Sequence, residues 1–342
     1  MAKILVTSTT IPISPKPGSY RSAEALMYAD MLLQEGHDVT VNYANAHNVH
    51  DFEVLGIYNG MEANEKVINI YGGANNDKVI AHLEHWSTYK GEVLSLDKYL
   101  PNYAKILQYK LEDKNIHTKI DFDNLRLMQA RVKKFKTKFT EHCVMGDSHA
   151  IALYRPKWNV YNIAYCTLNG FIAKDVCKNY LTPEVKELEF FFGNIDVRHH
   201  LCRVSSNFEK NASELAMRYI EYVDKVQVEK KKIYVPLPIE NESRVIPKTG
   251  WYDEKPFWGT QEERNFARNV LIETLQKNAP SSIEVINPWD YLLNKKGELD
   301  FECMERPRSV HLSRNSFLFW KGEHWNVEKE VKVKPTSSKS LI

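Results

Sequence analysis

Two short apolar runs, Cys143-Val144-Met145 and Ala150-Ile151-Ala152-Leu153-Tyr154, are separated by only four residues, Gly146-Asp147-Ser148-His149. This spacing reads as strand, sharp turn, helix. A serine at such a turn is lifted out of the strand and stands beside the first free N–H groups of the helix. Those groups can hold a developing oxyanion. Gly, Asp and Ser are ordinary turn residues, so the triplet draws its weight from three later segments. In Phe190-Phe191-Phe192-Gly193-Asn194-Ile195-Asp196-Val197-Arg198-His199-His200, an aromatic run breaks at a glycine and gives way to ionisable side chains. It reads as a buried strand delivering a functional loop at its C-terminal end. Ile233-Tyr234-Val235-Pro236-Leu237-Pro238 is a second apolar strand, ending in prolines. Ser309-Val310-His311-Leu312-Ser313 places a late histidine before a helix-like run.

Upstream, short strands and helices alternate. Lys3–Val6 is a strand, a proline-containing loop reaches Gly18, and a helix with Ser22 as its N-cap carries Ala25, Leu26, Ala29, Leu32 and Leu33 at helical spacing. Strands follow at Asp38–Tyr43, Phe52–Tyr58, Asn64–Tyr71 and Glu92–Leu96, with a helix over Lys78–Tyr89. Such alternation predicts a parallel sheet with helices on both faces. No G-x-G-x-x-G fingerprint is present, so a dinucleotide site is not expected. Residues 126–140 interleave Arg131, Lys133, Lys134, Lys136 and Lys138 with Val132, Phe135 and Phe139, which predicts a basic amphipathic linker helix. Further helices are expected over Glu214–Val226 and Thr260–Lys277, with a last strand at Ile283–Asn287. The expected organisation is α/β with two domains, 1–125 and 141–325, joined by that linker and followed by a C-terminal tail over 326–342.

The whole-chain numbers exclude several classes. A length of 342 residues allows two domains. A net charge of +2 gives no strong electrostatic drive toward nucleic acid or membrane. No apolar run approaches the roughly 20 residues of a membrane span, and the opening apolar run is too brief for a signal peptide. Five scattered cysteines, without a C-x-x-C pair, suit reduced thiols in a cytoplasmic protein and offer no zinc spacing.

The four segments together resemble the SGNH (GDSL-like) hydrolase superfamily in their order: Ser, then Gly, then a G-x-x-D loop, then a late His. The resemblance covers roughly residues 140–320. It implies a flavodoxin-type parallel sheet, with Ser148 as nucleophile, His311 as general base, and the N–H of Gly170 with the amide of Asn194 at the oxyanion. The third block is most similar to a subgroup with F-G-x-I-D-x-R-x-H. Two positions depart from the pattern. Ile195 stands where the superfamily has Asn before the Asp, and Arg308 stands where it has the Asp that orients the histidine. Glu305 is six residues before His311. The resemblance therefore implies a Ser–His dyad rather than a triad, and loss of the third member can cost orders of magnitude in rate.

The N-terminal half resembles the Rossmann-like domain of glycosyltransferases. Asn69-Ile70-Tyr71-Gly72-Gly73 is similar to a segment of bacteriophage DNA glucosyltransferases. The combined expectation is two Rossmann-like domains, the second an SGNH-like esterase or acyltransferase acting on a small-molecule or carbohydrate-linked O-acyl substrate. Asp196, Arg198, His200, Arg244 and Arg308 are expected to bind that substrate, since a guanidinium fork suits a carboxylate or phosphate. No metal or organic cofactor is implied. One alternative is a glycosyltransferase, with nucleic acid as the less favoured acceptor. The other is a non-catalytic binding protein, which Ile195 and Arg308 favour.

Overall fold

A computed structural model describes residues 3–7, 20–42, 54–58, 92–95, 112, 117–124, 127, 133–134, 141–163, 166–204, 206–240, 257–304, 310–319 and 332–333. The chain divides into two compact units, one made of residues 1–138 and 325–342, the other of residues 139–324.

The first unit holds strands Lys3–Thr7 (β1), Asp38–Asn42 (β2), Val54–Tyr58 (β3), Glu92–Ser95 (β4) and Lys133–Lys134 (β5), the helix Tyr20–Gln34 (α1) and, from the far end of the chain, the strand Lys332–Val333 (β11). Their order is β11-β2-β1-β3-β4-β5, and every described pairing is parallel. Helix α1 turns Met27, Tyr28, Met31 and Leu32 inward and starts two residues before the expected cap at Ser22. It ends in a Schellman closure. The Gly36 N–H donates to the Leu33 carbonyl, the His37 N–H donates to the Leu32 carbonyl, and Gly36 takes a φ of +84°. The strand expected over Asn64–Tyr71 and the helix expected over Lys78–Tyr89 lie outside the described residues. Two expectations are corrected. Lys133 and Lys134 are not helical but pair with Leu94 and Ser95, because a strand edge with open N–H and C=O groups takes a partner. The C-terminal segment is not merely a tail, because Lys332 and Val333 pair with Thr40 and Val41.

The second unit is built on His142–Gly146 (β6), Asn159–Asn162 (β7), Glu187–Phe191 (β8), Lys230–Tyr234 (β9) and Ile283–Ile286 (β10), in the order β10-β9-β8-β6-β7. All four pairings are parallel. Counted within the unit this is the 2-1-3-4-5 order of doubly wound sheets. The chain reverses its direction of travel between β6 and β8, and ligands bind beside the C-terminal ends of strands at such a reversal. Strand β8 is buried at all five positions, as a central parallel strand covered on both faces must be.

The alternation of β8 separates its two faces. Phe190 and the following Phe192 meet Phe171 of Leu168–Ala173 (α2), at ring distances of 6.2 and 4.1 Å. Phe190 also meets Tyr219 of Phe208–Asp224 (α4), a helix that follows the short helix Leu201–Val204 (α3). On the other face Phe191 stacks on Trp289 at 5.2 Å. Helix α4 buries Ala212, Leu215, Ala216, Tyr219, Ile220 and Val223 at helical spacing. The helix Gln261–Asn278 (α5) opens with a capping box between Thr260 and Glu263.

Gly146, the last residue of β6, permits the tightest approach among the described glycines of this unit. A Cβ there would lie 2.3 Å from the backbone oxygen of Phe191, which no rotamer change relieves. Gly146→Ala is expected to lower stability by about 1–3 kcal/mol, read as a lower urea midpoint at unchanged slope. A midpoint equal to wild type would show that the β6–β8 spacing has slack.

Candidate active site

Ser148 leaves the sheet at the end of β6 through a short turn. The Asp147 N–H donates to the Phe191 carbonyl at 3.2 Å, and the Ala150 N–H donates back to the Asp147 carbonyl at 3.0 Å. The expected helix after the turn is a single 3₁₀ segment, Ala150–Leu153, buried at all four positions. Asp147 and His149 point inward and are 0 % and 3 % exposed, whereas Ser148 between them is only half-buried. The turn thus presents one hydroxyl and hides its two ionisable neighbours.

His311 comes to that hydroxyl from 163 residues further along the chain, its Nε2 2.9 Å from Ser148 Oγ. The histidine segment is fastened after the ring by an isolated antiparallel bridge between Leu312 and Met304, and by the Ser313 N–H donating to the Cys303 carbonyl at 2.8 Å. Before the ring it is fastened by the Val310 carbonyl, 2.9 Å from Nε2 of His149. Arg308 and Glu305 lie outside the described residues. At 2.9 Å a neutral imidazole can take the serine proton as the oxygen attacks, the arrangement of an activated nucleophile. The backbone N–H of Ser148 makes no hydrogen bond among the described residues, so it is available to a developing oxyanion.

The other two expected oxyanion donors are employed elsewhere. The Gly170 N–H donates to Thr167 Oγ1 at 2.9 Å, the N-cap bond of α2. The Asn194 amide is buried. Its Nδ2 donates to Asp147 Oδ2 at 3.2 Å and its Oδ1 accepts the Leu237 N–H at 2.9 Å. Asn194 therefore ties the Ser148 turn to the loop after β9.

The expected substrate-binding residues are redistributed in the same way. Asp196, 2 % exposed, accepts the N–H groups of Leu168 at 2.6 Å and Asn169 at 3.3 Å, and so holds the start of α2. Its carboxyl is raised to about 6, chiefly by burial, with the two N–H groups opposing the rise and Asp147 adding to it. Arg198, 4 % exposed, donates its Nε–H to Glu240 at 2.8 Å. The carboxylate it was expected to hold for a substrate is supplied by its own chain. Glu240, 0 % exposed, also offers its backbone carbonyl to Arg264 Nη2 at 2.9 Å, and Arg264 lies over the Phe257 ring. A buried guanidinium needs such partners, and both Asp196 and Arg198 meet theirs inside the fold. His200 is half-buried and pulled below its ordinary range, first by burial and then by Arg203. Arg244 lies outside the described residues. Sequence reading missed Asp147 and His149 as a buried pair, and Glu240 and Arg264 entirely.

Nearby thiols are not rivals to Ser148. Burial pushes Cys166 up to about 12, with the Asp147 and Asp196 carboxylates adding to the effect, so it stays protonated and weakly nucleophilic. A cavity of about 240 Å³ lies past the ends of β9 and β10, lined by Asn265, Arg268, Asn287, Trp289 and Asp290 among others. Ser148 and His311 do not line it. Among the described residues no group of three His, Cys, Asp or Glu side chains is placed to hold a metal ion, and no helix is long and apolar enough to cross a membrane.

No family model matches the chain, and no curated protein does. A solved structure from Streptococcus pneumonia, provisionally named a platelet activating factor, aligns with a TM-score of 0.37 and 13 % identity, over 56 % of this chain and 81 % of that one. A likeness this slight carries no argument about fold or activity.

His199 supplies a pH prediction. Burial, and then the adjacent Arg198 charge, hold it down to about 3. The folded state thus refuses a proton that the unfolded chain accepts near 6.5, so this residue costs stability progressively as pH falls from about 6.5 toward 3. His199→Phe, which keeps a ring against Phe257, is expected to lose less stability than wild type over that interval. Parallel urea midpoints at pH 7 and pH 4.5 measure it, and equal losses in the two proteins would refute it.

Proposed function

We propose that the second unit is an SGNH-type serine hydrolase or acyltransferase, in which Ser148 attacks an acyl carbonyl and His311 manages the proton. The observation that carries this reading is the 2.9 Å contact between Ser148 Oγ and His311 Nε2, made by residues on separate loops at the C-terminal side of a doubly wound sheet. As Oγ bonds to the acyl carbon, its proton passes to Nε2 and the carbonyl oxygen gains negative charge beside the Ser148 N–H. Collapse of that adduct breaks the bond to the leaving alkoxide, which takes the proton from Nε2. Water, or another alcohol, then repeats the sequence on the acyl-enzyme with the same base. The substrate class we infer is an O-acyl ester on a small molecule or carbohydrate. The carbohydrate part rests on the likeness of the first unit to glycosyltransferases.

A second reading is a non-catalytic SGNH-fold binding protein. It is favoured by the engagement of Gly170 and Asn194 away from Ser148, which removes two of three expected oxyanion donors. The glycosyltransferase reading needs a cationic group for the phosphates of a sugar nucleotide, and the guanidinium of Arg198 is paired with Glu240.

The test is covalent. Incubation with a fluorophosphonate followed by mass spectrometry is expected to label Ser148. Ser148→Ala is expected to fold normally and lose hydrolysis of a short-chain aryl ester by at least about 100-fold. Folded protein that takes no label and turns over no ester would favour the binding protein.

A further inference from the structure

Asp147, the His149 ring and the Val310 carbonyl form an unbroken hydrogen-bonded line. Asp147 Oδ1 accepts both the His149 backbone N–H and a contact from His149 Nδ1, each at 2.9 Å. On the far side of the ring, Nε2 is 2.9 Å from the Val310 carbonyl oxygen. A carbonyl oxygen only accepts, so Nε2 must carry a proton. Asn194 also donates to both oxygens of Asp147, at 3.4 and 3.2 Å. Whichever of Nδ1 and Asp147 holds the proton between them, Nε2 donates to Val310. In both arrangements His149 is the link between the Ser148 turn and the residue immediately before His311. The rings of His149 and His311 stand 5.2 Å apart.

We propose that His149 is a positioning residue that sets the place of His311 by anchoring the Val310 carbonyl to the buried Asp147 carboxylate. In the superfamily pattern an acid three residues before the histidine would orient it, and Arg308 occupies that position here. The structure offers a different route to the same end. The anchor acts on the backbone of the histidine loop rather than on the ring, and the buried carboxylate belongs to the serine turn. The loop is then held on both sides of His311, by His149 before it and by Met304 and Cys303 after it. The kinetic consequences rest on the hydrolase reading above, whereas the anchoring itself does not.

Two substitutions separate the parts. His149→Asn keeps a donor for Asp147 and is too short for Val310, whereas His149→Gln carries an amide donor near the place of Nε2. With an aryl ester, His149→Asn is expected to lower kcat about 100-fold with little change in KM, since misplacing a reacting group costs that much. His149→Gln is expected to recover most of the loss. Wild-type kcat in His149→Asn, or a Gln variant no better than Asn at equal urea midpoints, would overturn the proposal. Nitrogen-edited NMR of the full chain gives an arm independent of activity. A slowly exchanging proton is expected on Nε2 of His149, and the His311 ring resonances are expected to move in the Asn variant and return in the Gln variant. A bare Nε2, or His311 resonances indifferent to position 149, would overturn it. If wild type hydrolyses no ester and takes no fluorophosphonate, the hydrolase reading fails. The NMR arm still decides the anchor, and it does so in wild type and the Gln variant if the Asn variant does not fold.

Discussion

A carboxylate removed from water must recover its hydration from the protein, and Asp147 does so completely. It is 0 % exposed, and its oxygens take donors from the His149 backbone, the His149 ring and Asn194. Two of those donors are fastened elsewhere: the ring to Val310, the amide to the Leu237 N–H. Three separate loops, after β6, after β8 and after β9, together with the histidine segment, thus converge on one buried carboxyl group. Left without these partners, an ionised group at this depth would cost several kcal/mol. The same contacts turn Asp147 and His149 inward and leave the half-buried Ser148 on the surface side of the turn.

Buried charge recurs beside this hub. Glu189, 0 % exposed on the central strand β8, meets Arg155 at 2.6 Å and Lys232 at 3.4 Å. Arg198 meets Glu240 at 2.8 Å. Such pairs add little net stability, because desolvation consumes much of their attraction, but removing one partner costs about 3–5 kcal/mol. Their effect here is geometric. Arg198 and Glu240 fix the end of the β9 loop against the segment after β8, and Arg155 joins the residues beyond the 3₁₀ turn to the sheet.

The sheet was largely legible in the sequence. The apolar runs of β6, β8, β9 and β10 and the periodicity of α4 and α5 are local signals, and a parallel sheet follows from their alternation. Strand β7 was not legible. Asn159 and Asn162 flank only Val160 and Tyr161, too short a run to distinguish from a loop, and the strand exists because the edge of β6 pairs with it. At the candidate site, the turn of Ser148 and the late His311 could be read from spacing, and they are now neighbours. The fate of Arg198 could not be read, because an arginine awaiting an anion and one paired with a glutamate 42 residues away have the same local sequence. His149 carried a faint signal. An ionisable residue directly after the serine, at the start of a wholly apolar run, has to find partners inside.

Strand β11 has a consequence in time rather than space. The outer neighbour of β2 is written about 290 residues after it, so at 5–20 residues per second a ribosome supplies it roughly 15–60 s later. The whole of the second unit emerges in that interval. Until then Thr40 and Val41 present an unpaired edge, the kind that recruits strands from other chains. A nascent population of this protein is therefore open to mispairing throughout the interval in which the second unit is made.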